Sequence, residues 1–385
     1  MSKAERILTI TPGLSTGGVQ RVACNYAVGY AQAGRDSRLW ARTDGPMQGE
    51  LAAAGVPFWI SPQDAESSST QRLLQEMVDW QPSAVHIHSH HVDESFVRLL
   101  SARLSPETVF IEKNIWGKPS PYRDILTVSC QLTDWCCWAY EQRQIEVSRD
   151  APSPRTAAAG PEPILVTVPN AVRTDRFYPS TPSERHQWRA RQGIPEGAFI
   201  IGRVGQSYPG KSHRSALSIL RSLRREGLDA WFVAVAPPDE FRQAVQDLDS
   251  DTRRFVRVLD RINDPDTLRR TYGAFDLFLH VTRQGETFGN VLAEAQACEV
   301  PVVTLSTPSR DNSQCEVVVN GQTGFVVAKW AKLLPAVREL ALHSARRAKF
   351  GARGRAHVLQ NYSSAVVIQR LLSILDASCT HPTGS

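Results

Sequence analysis

The sequence predicts an α/β protein built from two doubly wound, Rossmann-like domains that face each other across a cleft. Its 385 residues exceed the size at which a single hydrophobic core stops growing. Short apolar runs alternate with helical patterns almost throughout, which is typical of parallel sheets joined by crossover helices. The composition, 42% hydrophobic and 22% charged, is that of an ordinary globular protein. It excludes a disordered or collagen-like chain.

Apolar runs in the first part of the chain predict strands that alternate with helices. The predicted strands are Ile7–Ile10, Ser37–Ala41, Ala84–His88, Thr108–Glu112, Ile125–Val128 and Leu165–Val168. Helical periodicity covers Val19–Gln32 and Gln71–Trp80 between them. The segment Arg149–Pro163 is rich in proline and holds no bulky apolar residue, so we expect a surface loop there.

A proline-rich break at Pro169–Ser183 divides the chain into predicted domains at residues 1–180 and 184–360. The second series of predicted strands is Phe199–Val204, Ala230–Ala236, Phe255–Leu259, Leu277–His280 and Pro301–Leu305. Apolar residues at helical spacing predict a closing helix at about residues 362–378, packed back on the first domain. Ligands of such sheets bind at the carboxyl ends of the strands.

The charge balance and the cysteines indicate the partners and the compartment. A net charge of +5, spread along the chain, is too mild for a nucleic-acid binder, so no nucleic-acid partner is expected. No apolar run approaches about 18 residues and no secretory pattern is present, so we expect a cytoplasmic protein with at most peripheral membrane contact. The seven cysteines form no C-x-x-C pair, which favours reduced thiols. The oligomeric state stays open.

The most informative segment is G-E-T-F-G-N-V-L-A-E-A at residues 285–295. It predicts a loop that carries Glu286, followed by a helix from about Phe288 with Glu294 two turns inside. Eight residues at helical rise would separate the two carboxylates by roughly 12 Å, the span from a sugar ring across a diphosphate to a ribose. The amides of Phe288, Gly289 and Asn290 would lie between them at the positive end of the helix, where phosphates bind.

Two further turns carry groups that suit a diphosphate. The first strand of the second domain runs into G-R-V-G-Q-S-Y-P-G-K-S at residues 202–212. The fixed guanidinium of Arg203 and the mobile ammonium of Lys211 are both suited to a leaving diphosphate. In the first domain, Gly17 and Gly18 precede a predicted helix and would allow a phosphate or a sugar to approach the backbone.

Together these motifs resemble the large retaining glycosyltransferase family 4, also called glycosyl transferases group 1, which has the GT-B fold. The resemblance continues through Thr127–Ser129, the linker at Pro169–Pro179 and the segment from Pro301 to Gly324. It implies transfer of a hexosyl or N-acetylhexosaminyl group from a nucleotide-sugar, UDP-linked, to an acceptor hydroxyl. The acceptor stays open, with a natural product (for example an aminoglycoside) and a glycoconjugate as the alternatives. It implies no metal, and no cofactor beyond the nucleotide-sugar substrate.

The resemblance assigns roles to individual residues. Glu286 would contact the hydroxyls of the donor sugar and Glu294 the ribose, while Arg203 and Lys211 would neutralise the diphosphate. Family members often carry a His at the end of a first-domain strand, and either Glu112 or Asn114 occupies that region here. The first domain would hold the acceptor and the second the donor. It also implies that the nucleobase lies against the backbone near Leu259, Asp260, Arg261 and Ile262. The other donor contacts that it implies are Gly17, Gly18, Thr287, Phe288, Gly289 and Asn290.

Three polar segments leave alternatives open. His88 ends a predicted strand, and His90 and His91 follow it; the three are candidates for acceptor contact, for a metal site or for a plain loop. The segment Arg310–Glu316 is either a donor contact or a satisfied loop network. Asp249-Ser-Asp251 matches a D-x-D metal motif but lies between a helix and a strand, which favours a turn. The alternative function is that of a non-catalytic nucleotide-sugar-binding protein.

Overall fold

The computed structural model describes residues 4–15, 17–61, 66–88, 92–150, 162–205 and 215–380, and the side chains of all of these except 145–150 and 380. The chain divides into two compact units, Met1–Ala171 with Ser364–Ser385, and Val172–Ser363. The break falls earlier than the predicted boundary at residues 180–184. The reason is that the Val172 amide donates a 2.7 Å hydrogen bond to the carbonyl of Tyr362, deep in the second unit.

The first unit contains a parallel sheet, and most of the connections between its strands contain a helix. Its strands are β1 (Arg6–Thr11), β2 (Asp36–Ala41), β3 (Phe58–Ile60), β4 (Ala84–His88), β5 (Val109–Asn114), β6 (Val128–Gln131) and β7 (Ile164–Thr167). Its first helices are α1 (Gly18–Gln32), α2 (Gln48–Ala53), α3 (Ser68–Trp80), α4 (Glu94–Ser101) and α5 (Asp134–Asp150). Over the described residues the strand order is β3-β2-β1-β4-β5-β6-β7, and every pair is parallel.

The second unit repeats this design. Its strands are β8 (Phe199–Val204), β9 (Ala230–Val235), β10 (Val256–Leu259), β11 (Leu277–His280), β12 (Val302–Leu305) and β13 (Gly324–Val327). Its helices are α6 (Pro182–Arg191), α7 (Ser215–Arg225), α8 (Asp239–Gln246), α9 (Ser250–Arg253), α10 (Pro265–Ala274), α11 (Asn290–Ala297), α12 (Gln314–Val317), α13 (Leu333–Leu342) and α14 (Ser344–Asn361). The strand order is β10-β9-β8-β11-β12-β13. The chain adds strands on one side of β8 up to β10 and on the other side from β11 to β13. The switch point, where such sheets bind ligands, therefore lies between β8 and β11.

The closing helix, α15 (Ser364–Thr380), belongs to the first unit. It packs on α1, and its apolar face, with Val367 and Leu371 fully buried, shares one core with Val22 and Tyr26. The sequence places this helix at about residues 362–378, close to its observed bounds. Its burial follows from the helical spacing of its apolar residues.

Three strand predictions differ from the structure. The run Ile125–Val128 is not one strand, because Ile125 ends a 3-10 turn that packs under α4 and β6 begins only at Val128. The short strands β3 and β13 are absent from the prediction. Each lies at the edge of its sheet and pairs on one side only, so neither needs the long apolar run that marks a central strand. Most of the loop predicted at Arg149–Pro163 lies outside the described residues.

Candidate functional site

Arg203 is the residue before the last one of β8, at the carboxyl edge of the second sheet. Its side chain is only 3% exposed, and its Nη1 donates to the carbonyls of Val235 and Ala236 at 3.2 Å each. Burial lowers the pKa of the guanidinium to about 10, and the negative charge of Glu286 partly offsets this effect. Arg203 therefore remains charged at neutral pH and is fixed in place, as expected of a strand-end cation.

The backbone that Arg203 holds is itself unusual. Ala236 follows β9 with φ +45°, a left-handed conformation that is uncommon for a residue with a side chain. Its amide donates to the carbonyl of Leu259 at 2.9 Å, and its own carbonyl accepts from Arg203. These bonds connect the ends of β8, β9 and β10. Strained backbone of this kind collects at binding sites, where the surrounding contacts impose it.

The segment predicted to hold the nucleobase, Leu259 to Ile262, lies at the end of β10. Leu259 closes the strand, while the Asp260 side chain is 94% exposed and pairs with Arg242 at 3.1 Å. Arg261 is exposed and Ile262 is half-buried. The main-chain connection from Leu259 through Ala236 places this segment beside Arg203, and its role toward a base stays a prediction.

Glu286 lies in the loop after β11, and the loop is fixed on both sides. The Glu286 amide donates to Gln314 Oε1 at 3.1 Å, and the Glu286 carbonyl accepts from the amide of Ser313 at 2.9 Å. Gly285 precedes it with φ +73°, and a Cβ there would overlap the main chain of Asp311. Only glycine satisfies both conditions, so the sequence G-E fixes where the Glu286 carboxylate emerges.

His280 contacts the same carboxylate from the end of β11. Its Nε2 lies 3.1 Å from Glu286 Oε1, and the His280 side chain is 5% exposed against 15% for Glu286. The imidazole stacks on Phe278, with ring centroids 6.2 Å apart. A carboxylate has room for several donors, so one held by His280 can still accept from sugar hydroxyls. The sequence analysis missed His280, although its place at the end of the strand before Glu286 is the signal that could have found it.

The helix after Glu286 begins later than predicted. α11 starts at Asn290, behind Gly289 at φ +85°, whereas the sequence placed its start near Phe288. The Phe288 side chain is buried edge-on against Tyr362, with ring centroids 5.2 Å apart, so it is a core residue. The 12 Å estimate assumed helix over all eight residues and is wrong on that point, because the first four are not helical. Thr287 belongs to this non-helical loop.

Glu294 lies in α11 and is held from the neighbouring helix α10. Tyr272, fully buried, donates its hydroxyl to Glu294 Oε2 at 2.9 Å. The Tyr272 ring also packs against Phe278 of β11, with ring centroids 5.8 Å apart. Tyr272 therefore lies between Glu294 and the strand at the β8–β11 switch point. The sequence analysis did not single out Tyr272.

Lys211 lies outside the described residues, as do His90 and His91. Their predicted roles stay predictions. Gly17 and Gly18 begin α1 in the first unit, where Gly17 has an ordinary extended conformation with φ −62°. The N-terminus of α1 is therefore in the expected place, and the phosphate or sugar contact there is likewise still a prediction.

The two candidates for the usual His of the first domain are both buried. Glu112 is 0% exposed and accepts from the Ser129 hydroxyl at 3.5 Å. Asn114 is also 0% exposed, donates to the carbonyl of Lys118 at 2.7 Å and accepts from the amide of Trp116 at 3.2 Å. Asn114 thus shapes the loop after β5, and a catalytic role for either side chain stays a prediction.

His88 lies in the core of the first unit rather than in a loop. It is fully buried, with its ring 5.5 Å from that of Tyr26, and burial holds its pKa well below the usual value. Beside it in the sheet, Lys113 is also fully buried and donates from Nζ to the carbonyls of Val168 and Pro169. Burial lowers the pKa of Lys113 to about 7. An acceptor contact by His88 is not supported by this placement.

The remaining polar segments are explained by local structure. Asn312 accepts from the amide of Thr307 at 2.7 Å, and Gln314 donates to the carbonyl of Leu305 at 2.9 Å, so much of the segment Arg310–Glu316 is an internal network. Asp249 caps α9 by accepting from the Thr252 amide at 2.8 Å, which agrees with the predicted turn. In the described ranges, no cluster of three or more His, Cys, Asp or Glu side chains could hold a metal ion. No helix in the described part of the chain could cross a membrane.

Comparison with known proteins finds a family that is similar to part of the chain. Residues 198–343, which include Arg203, Glu286 and Glu294, match the family model described as glycosyl transferases group 1. This part of the chain is similar to the group 1 glycosyltransferases. The match lies within the second unit, which holds Arg203, Glu286 and Glu294.

Curated proteins with known names match part of this chain. The GDP-mannose-dependent monoacylated alpha-(1-6)-phosphatidylinositol monomannoside mannosyltransferase of Corynebacterium glutamicum is 29% identical over 229 residues, 57% of this chain and 58% of that protein. The D-inositol 3-phosphate glycosyltransferase of Rhodococcus erythropolis is 29% identical over 219 residues, 53% of this chain and 46% of that protein. The chain therefore matches about half the length of these relatives.

Solved structures show the fold of the chain. Anabaena Alr3699/HepE in complex with UDP superposes with a TM-score of 0.76 at 16% identity, covering 97% of this chain and 100% of that one. WaaG, a glycosyltransferase involved in lipopolysaccharide biosynthesis, superposes with a TM-score of 0.62 at 17% identity, covering 96% and 99%. The fold is GT-B, as the sequence resemblance implied.

Proposed function

We propose that this chain is a retaining, metal-independent glycosyltransferase that moves a hexosyl or N-acetylhexosaminyl group from a nucleotide-sugar to an acceptor hydroxyl. The observation that carries the proposal is the grouping of Arg203, Glu286 and Glu294 at one edge of the second sheet. Arg203 and Glu286 interact electrostatically, and the hydroxyl of Tyr272 holds Glu294 from α10. A cation and two carboxylates at one sheet edge suit a diphosphate that joins a sugar to a ribose.

During sugar transfer negative charge develops on the leaving group, so the site must stabilise that charge. The bond between the sugar C1 and the diphosphate oxygen breaks, a bond from C1 to the acceptor oxygen forms on the same face, and the acceptor proton passes to the leaving diphosphate. Negative charge grows on that diphosphate, so a buried guanidinium fixed beside it lowers the barrier. The amides at the start of α11 would add to this effect. Arg203 therefore serves the role that a metal ion serves elsewhere.

Glu286 would hold the sugar in register with the acceptor. Its main chain is fixed by Ser313 and Gln314, and its carboxylate is oriented by His280. A carboxylate held in this way can accept paired hydrogen bonds from two vicinal hydroxyls of the donor sugar. These bonds would fix the orientation of the sugar ring and of the bond between C1 and the diphosphate oxygen. The first unit would supply the acceptor side.

The nucleobase has two supported candidates. UDP is the nucleotide expected from the sequence, and the structure of Alr3699/HepE was solved with UDP. Two curated relatives, from Corynebacterium glutamicum and Mycolicibacterium smegmatis, are named for GDP-mannose, each at 29% identity. We propose a UDP-sugar as the donor, with GDP-mannose as the competing candidate.

Slow hydrolysis of the donor tests the proposal without knowledge of the acceptor. The protein is incubated with UDP-glucose, UDP-N-acetylglucosamine or GDP-mannose, and release of the free nucleotide is followed. We expect release from a UDP-sugar that falls to background in Glu286→Gln, while Glu226→Gln, a surface carboxylate of the same unit, keeps the wild-type rate. Binding of donors without release from any of them would favour the non-catalytic nucleotide-sugar-binding protein instead.

A further inference from the structure

A cavity opens at the carboxyl ends of β11, β12 and β13. Its volume is about 590 Å³, within the range of sites that hold small molecules. Arg283 lines it from the loop after β11, Thr307 and Arg310 from the loop after β12, and Trp330 from the turn after β13. Of its lining residues, only Arg310 has a role proposed above, as part of the segment Arg310–Glu316 that is either a donor contact or a loop network.

The cavity is positively charged. Two of its lining residues, Arg283 and Arg310, carry guanidinium groups, and none of its lining residues is acidic. Among the described residues, no carboxylate lies within ion-pair distance of Arg310, whereas Arg185 and Arg189 of the same unit both pair with Asp276. A guanidinium binds carboxylate and phosphate oxygens with paired hydrogen bonds. The charge therefore predicts an anionic occupant.

Trp330 adds an aromatic surface to this charged site. It begins a 3-10 turn after β13, and 39% of its surface is exposed. An exposed aromatic ring in a polar cavity provides a flat apolar face, which packs against the C–H face of a sugar ring. The combination of two arginines with a tryptophan suits a sugar that bears an acidic group better than a simple inorganic anion.

The cavity is tied to the Glu286 loop through Gln314. Gln314 Nε2 donates to Thr307 Oγ1 at 2.7 Å in the cavity wall, and Gln314 Oε1 accepts from the Glu286 amide at 3.1 Å. Gln314 is fully buried, so one rigid side chain joins the two. The strand order places Arg203 and the nucleobase segment on the β8–β10 side of Glu286 and the cavity on the β12–β13 side. An occupant of the cavity would thus lie beyond the donor sugar, away from the diphosphate.

From these observations we infer that the cavity is a subsite for an anionic hexose, with its carboxylate or phosphate between Arg283 and Arg310 and its ring against Trp330. The inference rests on the proposed function, since it names the substrate class that lies next to the donor sugar. The acidic group has two sources, an acidic acceptor sugar or an acidic substituent of the donor sugar. Both would present the same chemistry to the two arginines.

Ligand-observed NMR with D-glucuronate, D-glucose 6-phosphate, D-glucose and inorganic phosphate tests the subsite in the full chain. We expect at least one anionic hexose to bind about tenfold more tightly than glucose, a loss of that preference in Arg310→Gln, and weaker hexose binding in Trp330→Ala. The matched control is Arg221→Gln, an exposed arginine of the same unit that pairs with Asp249. Preference for glucuronate indicates a carboxylate and preference for glucose 6-phosphate indicates a phosphate.

Adding UDP-glucose to the bound sample separates the two sources. Continued hexose binding beside the donor supports an acidic acceptor, whereas competition supports an acidic donor sugar. Equal binding of anionic and neutral hexoses, binding of phosphate as tight as that of the hexoses, or an unchanged preference in Arg310→Gln overturns the inference. Titration of the wild-type protein with UDP is measured separately. Normal UDP binding without any anion preference refutes the subsite alone and leaves the proposed function standing.

Discussion

Replacing Arg203 with methionine should damage both the stability of the second unit and turnover. The guanidinium is 3% exposed and donates to the carbonyls of Val235 and Ala236, so its loss leaves two buried carbonyls without this donor. At the cost typical of unsatisfied buried groups, the free energy of unfolding should fall by about 2–4 kcal/mol. For a unit of this size, that corresponds to roughly 4–16 °C in the melting temperature. The left-handed turn at Ala236 should loosen as well.

The effect on turnover has a separate cause. Loss of a fixed cation beside the leaving diphosphate should lower kcat by a factor on the order of 10²–10³. Arg203→Lys should recover part of the stability, since an ammonium can still reach a carbonyl, but little of the turnover, since it cannot grip a diphosphate with two parallel hydrogen bonds. Arg338→Met serves as the control, because Arg338 is exposed on the same unit and pairs with Glu226.

Scanning calorimetry and initial rates of nucleotide release at saturating donor measure the two effects. An Arg203→Met protein that melts like the Arg338→Met control would refute the structural role. A rate within a few-fold of wild type in Arg203→Met would refute the catalytic role. From the sequence alone only the catalytic role is expected, and the melting temperature would be unchanged. The carbonyl contacts of the structure change that expectation.

Three further outcomes are expected. Donor hydrolysis should persist in EDTA, because Arg203 and the α11 amides supply positive charge; inactivation by EDTA that Mn²⁺ reverses would contradict this. Tyr272→Phe removes one hydrogen bond to Glu294 and leaves the ring in place. The affinity for UDP, measured by calorimetry, should fall by roughly three- to tenfold while the melting temperature stays nearly unchanged. An unaffected UDP affinity would argue against Glu294 as a ribose ligand. Burial lowers the pKa of Lys113 to about 7 in the folded protein, against 10.5 in the unfolded chain. Between pH 7 and pH 10.5 the unfolded chain therefore binds one more proton at Lys113 than the folded protein does. The contribution of Lys113 makes the free energy of unfolding rise with pH across that range. Melting curves from pH 7 to 10 should show that rise in the wild type relative to Lys113→Met, and parallel curves would contradict the burial of a titrating amine.

The fold was largely predictable because its signals are local. Central strands such as Phe199–Val204 and Leu277–His280 have the observed bounds, since strands buried on both faces need continuous apolar runs. The edge strands β3 and β13 escaped prediction because one-sided pairing tolerates short or glycine-containing segments. The boundary between the units depends on Val172 pairing near Ser363, a contact between residues far apart in the chain that no local pattern reveals.

The site was predictable only for residues that carry their own chemistry. Arg203, Glu286 and Glu294 stand in recognisable motifs, and the structure brings them together. Their supports, His280 and Tyr272, act through hydrogen bonds that depend on how β11 and α10 pack beside α11. His88 shows the opposite error, because a strand-end histidine resembles a ligand in the sequence until its burial in the core is known. Burial and long-range contact are the information that one sequence does not supply.

Calorimetric titration of UDP into Glu294→Ala and Glu286→Ala tests the central claim most directly, namely that these carboxylates hold opposite ends of a nucleotide-sugar. We predict that Glu294→Ala binds UDP at least about tenfold more weakly, because the ribose loses its acceptor. Glu286→Ala should bind UDP within a few-fold of wild type while losing donor turnover, because free UDP has no sugar for it to hold. Glu226→Ala, on the surface of the same unit, should match the wild type in both. Unchanged UDP affinity in Glu294→Ala, in a protein that melts normally, would contradict the account.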